Sequence, residues 1–225
     1  MRKIAMREAK RFGLFILFLF VAVTGVYAQT DAAAKTLLDK MSNTYKGYKA
    51  VLANFTVTAR QSPQAAADYS ESGVILIQPS SGKYHITMDS QELISDGKTL
   101  WTVLKDVNEV QVTDVDNSAT AISPVNIFSF YSSGYKYVSS AGERAGNTAL
   151  HVIELSPENT QSPYYKIKLR INQSTNLLYD VTVFDKNGMR YTYAIKGTKA
   201  NPAVPAGQFT FQQSQYPGVE IVDLR

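Results

Sequence analysis

The chain has 225 residues, 23 Lys and Arg against 19 Asp and Glu, 44% hydrophobic residues and no cysteine. Five of the basic residues (Arg2, Lys3, Arg7, Lys10, Arg11) and one acid (Glu8) fall in the first 28 positions, so the rest is formally neutral and gives no charge argument for nucleic-acid binding. Without cysteine there is no disulfide framework, and stability must come from one sizeable core.

Residues 1–28 read as an export signal. A basic stretch precedes an apolar run at 12–23, and Val26 and Ala28 put small residues at the −3 and −1 positions of a cleavage site. Cleavage after Ala28 leaves Gln29 first. The alternative is an uncleaved anchor, but a spanning helix needs about 20 apolar residues and this run is shorter. No cysteine lies near the cleavage point, so the chain is not itself lipidated. The expected organisation is a signal at 1–28 and one domain at 29–225, free in the periplasm.

Residues 31–46 carry the one strong helical period. Ala34, Leu37, Leu38, Met41 and Tyr45 make a single apolar stripe, Thr30 or Asp31 can cap the start, and Gly47 is a plausible stop. The period then switches to two. Val51, Ala53, Phe55 and Val57 alternate with smaller or polar neighbours. Residues 74–77 are continuously apolar, suited to a strand covered on both faces. Tyr84, Ile86 and Met88 alternate with Lys83, His85 and Thr87. An Asp96-Gly97 turn separates Leu93 and Ile94 from the run at 100–104, which marks a tight hairpin. Further strand-like runs fall at 110–112, 135–139, 149–155, 165–171, 177–184 and 191–195. Ser123 and Pro124 open a short apolar helix with Ile127, Phe128 and Tyr131 on one side. Residues 201–208 hold Pro202, Pro205 and Gly207 and read as a loop. Many short strands at near-regular spacing predict one antiparallel sheet curled into a barrel.

Catalytic and metal-binding patterns are scarce. His85 and His151 have no metal-ligand spacing, and His151 between Leu150 and Val152 reads as a solvent-facing strand residue. No nucleophile elbow, phosphate loop or dinucleotide fingerprint is present. Asp114 and Asp116 share one side of a strand but sit at its end, where solvated acids are common. The expectation is a binding protein without a cofactor, not an enzyme. Large side chains instead fall on faces that would point into the barrel: Phe55, Tyr84, Met88, Trp101, Phe128, Phe130, Tyr131. From composition alone the plainer reading is a barrel filled by its own side chains, with a ligand cavity as the alternative.

The order of these segments resembles the LolA-type family of periplasmic lipoprotein carriers. Ser95-Asp96-Gly97-Lys98-Thr99-Leu100-Trp101 is similar to the family's "SDGKTLW" hairpin. Asn54-Phe55-Thr56, the stretch from Gly73 to Pro79, Gly82-Lys83-Tyr84, the Ser123-Pro124 helix start, and the close from Phe209 to Asp223 are similar to family segments in the same order.

The resemblance implies a mainly β fold: an incomplete, half-open antiparallel β-barrel, with short helices forming a lid over an apolar cavity. It implies a chaperone that shuttles acylated lipoproteins from an inner-membrane ABC-type release complex to an outer-membrane acceptor, acting as a monomer. The cavity is then expected to be lined by Leu38, Met41, Phe55, Val57, Ile75, Ile77, Tyr84, Ile86, Met88, Leu93, Trp101, Val103, Val110, Ile127, Phe128 and Tyr131, with Tyr84 near its mouth. The chain departs from the family at Gln78, the lid or gate candidate, where better-known members have an arginine. Glutamine lacks the charge and the five-donor fork. Two other readings remain: a periplasmic sensor or regulator built on a similar half-barrel, and a carrier of another apolar ligand such as a glycolipid.

Overall fold

The apolar stripe at 31–46 becomes helix α1 (Ala32–Lys46) in the computed structural model, which describes residues 31–63, 65–116 and 130–225. Asp31 is the N-cap, accepting the Ala33 N–H at 2.8 Å. Gly47 ends the helix in a right-handed conformation (φ −70°), so its freedom at positive φ is not used. Ala34, Leu38, Met41 and Tyr45 are buried, and the opposite side of the helix is solvated.

The alternating segments form β1 (Val51–Arg60), β2 (Tyr69–Gln78), β3 (Lys83–Met88), β4 (Gln91–Ser95), β5 (Thr99–Leu104) and β6 (Glu109–Asp114). After the short 3-10 turn Phe130–Ser132 come β7 (Tyr135–Ala145), β8 (Thr148–Pro157), β9 (Tyr164–Asn172), β10 (Leu178–Asp185), β11 (Arg190–Ala200) and β12 (Glu220–Asp223). They make one sheet of 12 strands in the order β12-β6-β5-β4-β3-β2-β1-β11-β10-β9-β8-β7. The fold is therefore mainly β, and the sheet is open, with β12 and β7 as its two edges. The sheet does not close on itself, in keeping with the half-open form. One expectation is corrected by this topology: β12 lies parallel to β6 where the other pairings are antiparallel. The joint that makes the sheet continuous is β1 with β11, strands far apart in sequence, with a bulge between Asn54 and Phe55.

The predicted hairpin at Asp96-Gly97 is present. Asp96 Oδ1 accepts the N–H groups of Lys98 and Thr99 at 2.9 and 2.8 Å, and Gly97 sits at φ 92°. A Cβ at Gly97 would also lie 2.7 Å from the Ser81 carbonyl oxygen in the neighbouring β2–β3 turn. Gly97→Ala therefore meets both a backbone and a steric penalty. It is expected to cost more than about 1 kcal/mol in denaturant melts, whereas Gly188→Ala (φ 92°, with open space around it) carries the backbone penalty alone.

Register assigns the faces, because directly paired residues point the same way and neighbours along a strand alternate. Phe55, Gly73 and Met88 form one inward row; Val51, Ile77, Tyr84 and Ser95 form another. Helix α1 packs on this concave face. Its buried residues join one cluster with Phe55, Val57, Ile77, Tyr84, Ile86 and the inward residues of β7–β10. The convex face is covered over β1–β6 by the C-terminal segment. Phe209 and Val204 pack on Leu52 and Leu76, while Phe211, Tyr216 and Val219 pack on Trp101, Val103, Val110 and Val112. The apolar run at 74–77 is thus only half covered on its outer side: Leu76 is 8% exposed and Val74 39%. His151 is half-buried and registers with Ile171 of the main cluster, so it is not the solvent-facing residue its neighbours suggested.

Candidate binding face

The concave face gathers most of the residues expected to line a cavity. Leu38 and Met41 come from α1, Phe55 and Val57 from β1, Ile77 from β2, and Tyr84 and Ile86 from β3; all are buried in one cluster. Ile75, Met88 and Leu93 are half-buried against it. Tyr131 joins it at 5% exposure and donates its hydroxyl to Asp39 of α1 at 3.1 Å. Ile127 and Phe128 lie outside the described residues.

Three expected lining residues are corrected to the other face. Trp101 pairs with Ile94 and Val112, Val103 pairs with Val110, and Trp101, Val103, Val110 and Val112 belong to the convex cluster. The inward residue of β5 is Leu100, opposite Ser95. Size misleads here: the large indole is needed outside, where Phe211 and Tyr216, stacked 5.2 Å apart, complete a second small core. Gln78 also registers away from the concave cluster, opposite Lys83. Its side-chain oxygen accepts the Ser81 hydroxyl at 3.2 Å, and its carbonyl accepts the Gly82 N–H at 3.0 Å. Its recorded bonds thus serve the β2–β3 turn, with none to α1 among the described residues.

Alternation on the later strands carries inward residues that the sequence reading left unassigned, among them Ile153, Leu155, Ile167 and Leu169, each fully buried. A polar seam runs through this apolar floor. Tyr135 and Tyr164 share a hydrogen bond of 2.5 Å, and the Tyr45 hydroxyl accepts the Leu178 N–H at 3.2 Å. Burial pushes the hydroxyls of Tyr45 and Tyr84 up to about 12, so both stay protonated and neutral. Gly73 is what lets Phe55 lie flat over β2: a Cβ there would stand 2.6 Å from the Phe55 ring and 2.9 Å from Met88.

Helix α1 is tied to the rim of the sheet as well as packed on it. Asp31 donates its N–H to the Tyr137 carbonyl at 3.2 Å, and its Oδ2 accepts the Ser139 N–H at 2.9 Å. One carboxylate thus caps the helix and pins it to edge strand β7. Hydrogen bonds from Ser139 and Ala33 hold its carboxyl down at about 2. The sign follows: the contribution is whole above the ordinary carboxyl value of 3.8, fades below it, and is gone under about 2. The Ser139 amide shift is expected to titrate near pH 2 in NMR spectra, and a midpoint near 4 would remove this tie.

Surface depressions among the described residues include one on α1 and one about Gly73. One of about 600 Å³ lies along the solvated side of α1, lined by Thr36, Asp39, Lys40, Asn43 and Thr44. The other, about 380 Å³, lies about Gly73 and is lined by Phe55, Val74 and Met88 as well as Asn54, Thr56, Lys105 and Lys196. Neither by itself makes the lidded apolar cavity that the resemblance implies. Among the described residues no group of His, Cys, Asp and Glu is placed to hold a metal ion, and no helix is long and apolar enough to cross a membrane.

The chain is similar to known proteins along nearly all of its length. The family described as "Outer membrane lipoprotein carrier protein LolA" matches residues 46–212. An outer-membrane lipoprotein carrier protein from Pectobacterium carotovorum is 30% identical, with 90% of this chain and 92% of the relative covered. One from Cronobacter sakazakii is 26% identical, with 91% and 92% covered. Among solved structures, an uncharacterized conserved protein from Thermus thermophilus superposes with a TM-score of 0.59 at 11% identity, over 85% of this chain and 99% of that one. MucB superposes with a TM-score of 0.51 at 15% identity, over 85% of this chain and 66% of that one. These two likenesses concern the fold alone.

Proposed function

Because this chain belongs to the LolA family of outer membrane lipoprotein carriers, we propose that it takes the acyl chains of lipoproteins onto its concave face and moves them through the periplasm. In this reading residues 1–28 are removed on export, leaving one domain from Gln29 to the C-terminus. An inner-membrane ABC-type complex loads the cargo and an outer-membrane acceptor takes it. The carrier works as a monomer and performs no chemical step.

The observation that supports this most is the cover on the concave face. Among the described residues the apolar concave face is spanned by one 15-residue amphipathic helix, with side-chain hydrogen bonds at Asp31, Asp39 and Tyr45 tying it to its surroundings. Each methylene hidden from water contributes about 0.8 kcal/mol, so one long acyl chain left in the periplasm would cost on the order of 10 kcal/mol. Swapping the α1 stripe for alkyl chains keeps the apolar area buried in both states. The exchange is then near balance, and cargo can leave as well as enter. Met41 and Met88, one on the cover and one on the floor, repack around a flexible ligand at low cost.

Native mass spectrometry of the protein drawn from the periplasm tests the assignment. An acylated polypeptide in the bound state is the expected result. A bound glycolipid without polypeptide would make this a carrier of a different apolar ligand. An unloaded protein complexed with a non-acylated partner would favour the sensor reading.

A further inference from the structure

Two carboxylates are buried among the described residues. Asp180 faces outward and is paired by Arg170. Glu71, 9% exposed, registers with Val57 and therefore points into the concave face. Its donors are neutral: the Ser90 N–H at 2.8 Å, the Ser90 hydroxyl at 3.1 Å and the Tyr69 hydroxyl. None of the ion pairs among the described residues includes it. Burial works against its charge, but the hydrogen bonds from Tyr69 and Ser90 outweigh burial and keep the carboxyl below its usual range. It is a buried anion with no cationic partner among the described residues.

Its surroundings are specific. Tyr193 stands across Val57 from Glu71, and in the next inward row Ala59 lies between Tyr69 and Tyr191. Ala59 thus puts a small side chain between two aromatic ones. Tyr69 and Tyr193 are 46% and 41% exposed, while Val57 and Ala59 beneath them are 7% and 4% exposed. Open aromatic rings around an unpaired anion attract an ammonium ion through both the ring faces and the carboxylate field. Nothing in the core packing calls for either feature at this end of an otherwise apolar face.

We propose that Glu71, Tyr69, Tyr191 and Tyr193 form a site for a primary ammonium group carried at the head of an acylated ligand, while the acyl chains lie along the concave floor beyond Val57. The inference rests on the carrier reading above. In an acylated polypeptide the ammonium has two sources: the free α-amino group of a diacylated N-terminal cysteine, or a lysine side chain next to it. Placing it at this slot sets the direction of the cargo, with the peptide leaving the sheet at the β1–β2 and β10–β11 loops.

The test uses three synthetic lipopeptides titrated into the exported protein by calorimetry: a lysine-free diacyl form with a free α-amino group, its N-acetylated form, and an N-acetylated form with a lysine in the second position. Wild type is expected to bind the free-amine form about tenfold more tightly than the N-acetylated one, equivalent to about 1.4 kcal/mol. Glu71→Gln and Tyr193→Leu should each erase most of that preference and leave binding of the N-acetylated form unchanged. Recovery of tight binding by the lysine form alone supports the site and assigns the ammonium to the side chain. Equal binding of all three by wild type, or a preference that survives both substitutions, overturns the ammonium site and leaves the carrier reading standing. If none of the three binds, the carrier reading fails and this site with it.

Discussion

Leu38→Ala is expected to make the protein less stable and a better binder. Leu38 is fully buried at the centre of the α1 stripe, and a Leu-to-Ala change at such a site costs about 2–5 kcal/mol. If α1 is displaced when cargo enters, the empty protein loses that contact and the loaded protein does not. The cost of opening falls by the same amount, and each 1.4 kcal/mol returns as about tenfold in affinity. The measurements are a urea melt for stability and displacement of a hydrophobic dye by a fatty acid for affinity. Opposite movement of the two quantities supports a helix that leaves its seat. Parallel loss of both would mean that α1 is part of the binding surface itself, with cargo lying on top of it.

The contrast between α1 and β5 shows what a sequence can carry in this fold. The helix is legible because its information is local: a cap at Asp31, apolar residues at three- and four-residue steps, and a basic last turn at Lys46. The hairpin at Asp96-Gly97 is legible for the same reason. Which side of β5 faces inward is not local. It follows from pairing with β4 and β6 and from the segment that covers the far side. Reading 201–208 as a loop was sound, but the apolar residues just beyond, Phe209, Phe211, Tyr216 and Val219, follow no period. Their role as an outer cover could not be seen before the sheet was in view. Trp101, Val103 and Val110 were assigned inward because one core was assumed where two faces are in fact covered. Glu71 was missed because Tyr69-Ser70-Glu71-Ser72 looks like a solvated strand end. Its partners mark it as buried: Ser90 in the β3–β4 turn and the Tyr69 hydroxyl.

The same two-faced construction predicts that the protein's strongest electrostatic dependence has no bearing on cargo. A bulge after Leu178 sets Asp180 directly against Arg170 on the convex side of β9 and β10. Arg170 grips it through two nitrogens, with Nε to Oδ1 at 2.8 Å, and its third nitrogen reaches Glu143 at 3.2 Å. Lys168 completes a neutral network by reaching Glu143 at 2.5 Å. Asp180 is 3% exposed, so without its partner it becomes a buried, uncompensated charge. Removing one member of such a pair costs about 3–5 kcal/mol, while replacing both by apolar groups of similar volume is often neutral. Arg170→Met is therefore expected to lower the unfolding free energy by about that amount, and Asp180→Leu in the same chain to restore most of it. Below the urea transition, acyl affinity should be the same in wild type, single and double variants, because the sheet separates this network from the concave floor where Leu169 and Val181 face inward. A change in affinity that tracks the ion pair and not the folded fraction would mean that the sheet itself flexes on loading. The cover on the concave face would then be only part of what moves.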